Sequence, residues 1–227
     1  MQAVSQTGWI GKSVKRREDQ RLITGKGNYV TDIHLPGMLH MAILRSKHAH
    51  ANIRAIRTDR ALQAPGVRAI LTGEEVRRTM NPMPITVEMP GFTPIRYHPL
   101  AVDRVRYVGE PIVALVAESR YAAEDALELV EVDYEPLPVV TDAEKGLLPS
   151  APKLYDDRPN NVIFHFTHKV GDAAGALRDA DVIVRERFTN ARATATPIEC
   201  RSCVAEDRKS TRLNSSHIQK SRMPSSA

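Results

Sequence analysis

Cysteine is scarce in this chain: Cys200 and Cys203 are the only two among 227 residues. That excludes a disulfide-stapled scaffold and suits a reducing compartment. Long apolar runs are missing too. The longest, Ile112–Ala117, is strand-sized, far short of the roughly 20 residues a membrane-spanning helix needs. Met1 to Lys15 contains no apolar core, so nothing there reads as a secretory signal, and a cytoplasmic protein is expected. No G-x-G-x-x-G or phosphate-binding loop occurs, and Gly25-Lys-Gly27 is only a turn signal. Internal repeats are lacking as well. What is present is ordinary: 42% apolar and 26% charged residues, which exclude wholesale disorder and a fibrous repeat. The length suits one large domain or two modest ones.

The net charge of +5 suggests an acidic partner until its distribution is read. Asp207–Ala227 holds Arg208, Lys209, Arg212, Lys220 and Arg222 against Asp207 alone, a net +4 that leaves +1 for the first 206 residues. The body therefore has no electrostatic footprint for nucleic acid, and no such partner is expected. The same 21-residue stretch has six serines and no apolar period, the composition of a disordered basic tail. It also admits a sharper reading: Asp207–His217 and Ser221–Ala227 resemble the translation of a common sequencing-library adapter. On that reading the native chain continues past Glu206, and function is to be argued from residues 1–206.

Along the body, residues 1–28 read as a polar, basic lead-in running over the surface. Tyr29, Val30 and Ile33 suit a short strand, followed by stronger strands at Leu39–Arg45 and Ala51–Ile56. A helical turn at Ala61–Ala64 precedes a strand at Val67–Leu71. Thr72-Gly-Glu-Glu75 fits a capping box opening a helix to about Thr79. Asn81–Pro99, with five prolines, is expected to be a loop excursion. Extended structure resumes at Arg104–Val108 and Ile112–Ala117, around Gly109-Glu110-Pro111. Ser119 caps a helix whose Ala122, Ala123, Ala126, Leu127, Leu129 and Val130 form an apolar stripe. The period then changes to 2 through Val130, Val132 and Tyr134. Strands and short helices in this order predict an α+β fold with mixed pairing. After a proline-marked linker, strands are expected at 162–167 and at Asp181–Phe188, the latter with Val182 and Val184 inward. Between them Asp172 caps a helix.

Chemistry-bearing candidates are few. Cys200-Arg-Ser-Cys203 has C-x-x-C spacing, but a structural zinc needs four ligands and no second pair exists. A redox pair should open a helix, and no strand-to-helix signal precedes it. His48-Ala-His50 would put two imidazoles on one face of a strand, with His34 and His40 near only in sequence; a turn with surface hydrogen bonds is the favoured alternative to a metal site. Glu110 could place a carboxylate at a strand end, though a turn uses the same residues. Glu124, Asp125 and Glu128 read as the solvated face of a helix. No catalytic, cofactor-binding or metal-ligating set is assigned to any residue of this chain.

The order of short motifs carries a resemblance. Arg16-Arg-Glu-Asp19, Arg21-Leu-Ile-Thr-Gly25 and Tyr29–Asp32 come first. Leu35–His40, Arg45–His50, Ala64–Val67 and Leu71-Thr-Gly73 follow. Val105–Pro111, Ala122–Ala126 and Val130–Pro138 complete the series. It resembles the molybdopterin-binding large subunit of the xanthine dehydrogenase and aldehyde oxidase family, in the form most like aerobic carbon monoxide dehydrogenase. Gly171-Asp172, Arg185-Glu-Arg187, Asn190-x-Arg192 and Pro197–Arg201 are similar to the opening of that family's cofactor-binding domain. The family carries proline where this chain has Cys200, which makes the C-x-x-C incidental.

The resemblance implies an organisation and an activity. Residues 1–18 would be a lead-in, 19–142 an a/b hammerhead domain, 143–161 a linker, and 162–206 the truncated start of the molybdopterin-binding domain, with 207–227 the adapter-derived tail. The whole protein would be a molybdenum-dependent oxidoreductase carrying molybdopterin cytosine dinucleotide. It would oxidise an aldehyde, a purine-like heterocycle or carbon monoxide with water as oxygen source, partnered by an iron–sulfur small subunit and a FAD medium subunit. The catalytic glutamate and cofactor loops would lie beyond Glu206, so the fragment itself is expected to be inactive and to bind no cofactor. The alternative is a non-enzymatic interaction module built on the hammerhead fold.

Overall fold

The computed structural model describes residues 11–84, 90–92, 94–191, 193–197 and 199–206. The adapter-like tail, Arg192 and part of the proline excursion lie outside the described residues. In chain order the elements are α1 (Asp19–Ile23), β1 (His40–Arg45), β2 (Ala51–Arg57), α2 (Asp59–Leu62), β3 (Val67–Thr72) and α3 (Gly73–Thr79). Then come β4 (Arg104–Val105), β5 (Pro111–Ala117), α4 (Arg120–Leu127), β6 (Glu131–Pro136) and α5 (Ala173–Arg178). Single 3-10 turns occupy Val30–Asp32 and Lys145–Leu147.

The chain falls into two compact units. One is Gly37–Val184; the other, among the described residues, joins 11–36 to 185–191, 193–197 and 199–206. In the second, the amide of Val30 donates to the Glu199 carboxylate at 2.9 Å, joining its two stretches of chain.

Gly37–Val184 contains two three-stranded sheets, ordered β1-β5-β3 and β4-β2-β6. Every described pair is antiparallel, where mixed pairing was expected. The reason is that β5 inserts between β1 and β3, so those two run in the same direction without touching edge to edge. A centre strand covered on both faces must be apolar throughout, and Ile112, Val113, Ala114, Leu115 and Ala117 of β5 are all buried. Ile112 and Val113 pack with Ala51, Ala101 and Val105. Leu115 and Ala117 pack with Ala61, Ala123 and Ala126. Small residues on α4 thus let the helix lie close on β5, the strand that contains the sequence's longest apolar run.

Local signals hold where the side chains supply their own partners. The Thr72 hydroxyl accepts from the Glu75 amide at 3.5 Å, and the Glu75 carboxylate accepts from the Thr72 amide at 2.8 Å. The Ser119 hydroxyl accepts from the Ala122 amide at 3.1 Å. Asp172 does the same for Gly175 at 3.0 Å. Helix α3 also requires glycine at its first residue: a β-carbon on Gly73 would fall 1.9 Å from the Ala101 carbonyl oxygen.

Four expectations are corrected. Tyr29–Ile33 is a 3-10 turn, because the Asp32 carboxylate accepts from the Tyr29 amide at 2.9 Å and bends the chain. The lead-in contains a helix, α1, whose residues are all at least partly exposed. Only Arg104–Val105 of the 104–108 segment pairs as a strand, since the Glu110 carboxylate captures the Arg106 amide and turns the chain away. The segments at 162–167 and 181–188 run without strand pairing. Val182 and Val184, read as inward, are each 79% exposed. A strand needs a neighbour for its amides and a core for its side chains, and the described residues offer these segments neither.

Candidate functional site

The sequence candidates are placed as follows. Cys200 and Cys203 are exposed and unbonded to each other, in irregular chain with no helix following among the described residues; no helix dipole acts on either thiol. His48 and His50 sit in the bend between β1 and β2 and diverge. The His48 ring lies 4.6 Å from the Tyr134 ring at 49°. His50 is buried, and its Nδ1 lies 2.7 Å from the Pro138 carbonyl. A carbonyl only accepts, so Nδ1 carries the proton. His34 and His40 join no cluster: among the described residues no three His, Cys, Asp or Glu side chains converge as metal ligands.

Glu110 serves the turn. Its carboxylate accepts from the Arg106 amide, its carbonyl accepts from the Ser46 amide at 2.9 Å, and Gly109 donates back to the Ser46 carbonyl at 2.7 Å. Burial pushes the Glu110 carboxyl above the usual glutamate range, against the pull of Arg106. Glu124 pairs with Arg120 at 2.8 Å, and Asp125 and Glu128 are exposed; this is the solvated helix face expected.

The densest polar constellation escaped the sequence reading. Arg104, on β4, donates to both carboxylate oxygens of Asp156, at 3.1 and 2.9 Å. That hydrogen bond, with the guanidinium charge behind it, holds the Asp156 carboxyl below its usual range. Arg104 also reaches Asn52 Oδ1 at 3.0 Å, and Asn52 donates to Glu135 at 2.8 Å. Arg106 donates from Nε to the Leu154 carbonyl at 3.0 Å, and its guanidinium lies 4.6 Å from the Tyr155 ring centroid. Burial raises the Tyr155 hydroxyl above the ordinary tyrosine value, outweighing the Arg106 charge. The arginines alternate at 104 and 106, but their partners lie about fifty residues away in proline-broken chain, so no local spacing announces the cluster. Its groups are mutually satisfied, which makes it a device for holding chain in place.

The a/b hammerhead domain of aldehyde oxidase and xanthine dehydrogenase matches residues 24–138, just over half of the chain. The chain belongs to the aldehyde oxidase and xanthine dehydrogenase family. The family's molybdopterin cofactor-binding domain matches residues 154–222. Among family relatives, the gamma subunit of the 6-hydroxypseudooxynicotine dehydrogenase complex of Paenarthrobacter nicotinovorans is 40% identical over 205 residues, covering 87% of this chain and 25% of that one. The carbon monoxide dehydrogenase large chain of Afipia carboxidovorans is 39% identical, covering 86% and 25%. The crystal structure of quinoline 2-oxidoreductase from Pseudomonas putida 86 superposes with a TM-score of 0.78 at 38% identity, again over 87% of this chain and 25% of that one. The chain spans about a quarter of the length of the curated relatives it matches. The hammerhead assignment and the α+β fold expected from sequence agree with the family match and the superposition. Among the described residues no helix is long and apolar enough to cross a membrane.

Proposed function

We propose that the chain is the N-terminal portion of the large subunit of a molybdenum-dependent hydroxylase. The carrying observation is order: a hammerhead match at 24–138 followed directly by a cofactor-binding-domain match at 154–222. Within that reading the domains are 19–142 and 162–206, joined by 143–161; the cofactor-domain match begins at 154, inside that linker, and runs to 222, into the adapter-like tail. The substrate class is an aldehyde, a purine-like heterocycle or carbon monoxide, and the oxygen comes from water. Relatives named as a complex's gamma subunit and as a large chain support assembly with iron–sulfur and FAD subunits. Two exposed, unpaired cysteines support a cytoplasmic location.

Among the described residues no three His, Cys, Asp or Glu side chains come together, and the sequence has no glycine-rich phosphate loop. The described residues supply scaffold: β5 buried between its neighbours, and the Arg104–Asp156 and Arg106–Tyr155 contacts that fix the segment leading onward. We place the catalytic and cofactor-binding residues, in cytosine dinucleotide form for the cofactor, outside this chain.

Sequencing the source locus past the codon for Glu206 tests the reading. An open frame continuing into glycine-rich cofactor loops is the expected result. A natural stop at that point would favour the interaction module instead.

A further inference from the structure

Residues 181–185, Asp-Val-Ile-Val-Arg, follow α5 and run without strand pairing. Among the described residues no backbone hydrogen bond involves them. All five are exposed, Ile183 at 59% and Val182 and Val184 at 79% each. Three successive β-branched residues suit a strand, and leaving their side chains in water is unfavourable. The flanking charges are of opposite sign and equally distant from Ile183. That spacing is self-complementary. Laid antiparallel on a second copy, with Ile183 opposite Ile183, Val182 falls opposite Val184 and Asp181 opposite Arg185, each twice. The parallel in-register arrangement instead sets Asp181 against Asp181 and Arg185 against Arg185. An antiparallel slip of one residue sets Asp181 against Val184 or Glu186 and loses the ion pairs.

We propose that residues 181–185 are a self-association edge, on which two copies of this chain pair antiparallel about a two-fold axis at Ile183. The interface is isologous, so every contact occurs twice. Ladder hydrogen bonds give the backbone groups of 181–185 partners other than water. On one face the two Ile183 side chains meet at the axis, flanked by the two Asp181–Arg185 pairs, while the four valines share the other face. Residues 181–185 of each copy are few beside the roughly 20–30 a side of a standard interface, so the dimer is weak and forms as the protein is concentrated. Its ion pairs are exposed, so added salt weakens it further. The inference does not rest on the enzymatic reading, because it needs only this exposed segment and its charge pattern.

Sedimentation equilibrium on the full 227-residue chain tests it, over about 10 to 500 µM, where so small an interface dissociates. The parent is expected to pass from monomer to dimer. Asp181→Arg alone and Arg185→Asp alone each set like charges opposite one another twice, and each is expected to dimerise at least about tenfold more weakly. Mixing the two variants sets opposite charges against each other again at both positions, and should restore association as a one-to-one heterodimer. Restoration also shows that both variants are folded, since neither associates alone. A parent that stays monomeric throughout overturns the proposal. So does a dimer that both single variants leave intact, which would place the contact elsewhere. A mixture that associates no better than its components overturns it as well.

Discussion

Arg104 and Asp156 meet through two parallel hydrogen bonds, of 3.1 and 2.9 Å, across 52 residues of sequence. The fork-on-fork geometry fixes direction as well as distance. It pins a proline-broken segment, which among the described residues has no ladder hydrogen bonds, to the edge of the β4-β2-β6 sheet.

That pairing gives the acid limb of stability a definite sign. Arg104 depresses the Asp156 carboxyl, Arg57 and Arg60 depress Glu131, and Asn52 and then Arg54 depress Glu135. Each contributes stability above the ordinary carboxylate range and loses it as pH falls through its lowered value. Adding salt weakens these exposed pairs. Urea midpoints should therefore fall on acidification, and the fall should shrink in Asp156→Asn. An unchanged acid limb in that variant would contradict the pairing.

Glu110 has the opposite sign. Burial raises its carboxyl, so the fold favours the protonated form. Its contribution is fully present below the ordinary glutamate value and is lost as pH rises from there through the raised value. Glu110→Gln keeps an acceptor for the Arg106 amide and removes the titration. The variant is expected to lack this downward step as pH rises above the ordinary glutamate range and to match or exceed the parent at neutrality. A variant less stable than the parent at neutral pH would show that the charge itself is required.

Gly73→Ala is expected to cost about 3 kcal/mol in denaturant unfolding, since the added methyl meets the Ala101 backbone rather than a movable side chain. Gly109→Ala has open space around it but a φ of +89°, and should cost only about 1 kcal/mol. Equal losses would mean that conformation, not contact, governs both sites.

Leu115→Ala removes the side chain of a fully buried residue of β5 and should cost about 3 kcal/mol. Val182→Ser and Phe188→Ser should cost almost nothing, because those side chains are 79% and 89% exposed, while reducing binding of a hydrophobic dye. A large stability loss in either serine variant would place these residues in a core.

What the sequence made legible was local. The Thr72–Glu75 box, the Ser119 cap, the alanine stripe of α4 and the unbroken apolar run of β5 each carry their own partners or pattern within a few residues. The strand patterns at 162–167 and 181–188 rest on alternation alone, and alternation cannot supply a neighbouring strand. The Arg104, Arg106 and Tyr155 cluster was invisible for the reverse reason: its chemistry is plain, but only the fold brings its members together. The family resemblance came from short motifs spread over residues 16–142 and did not depend on any of these contacts.

Molybdenum per polypeptide tests the central claim most directly, measured by plasma mass spectrometry after expression in a host competent for the pterin cofactor. The complete subunit encoded at the source locus and the 227-residue chain would be purified side by side. The account predicts close to one metal for the complete subunit and none for the shorter chain. Stoichiometric metal on the 227 residues, or none on the complete product, would contradict it.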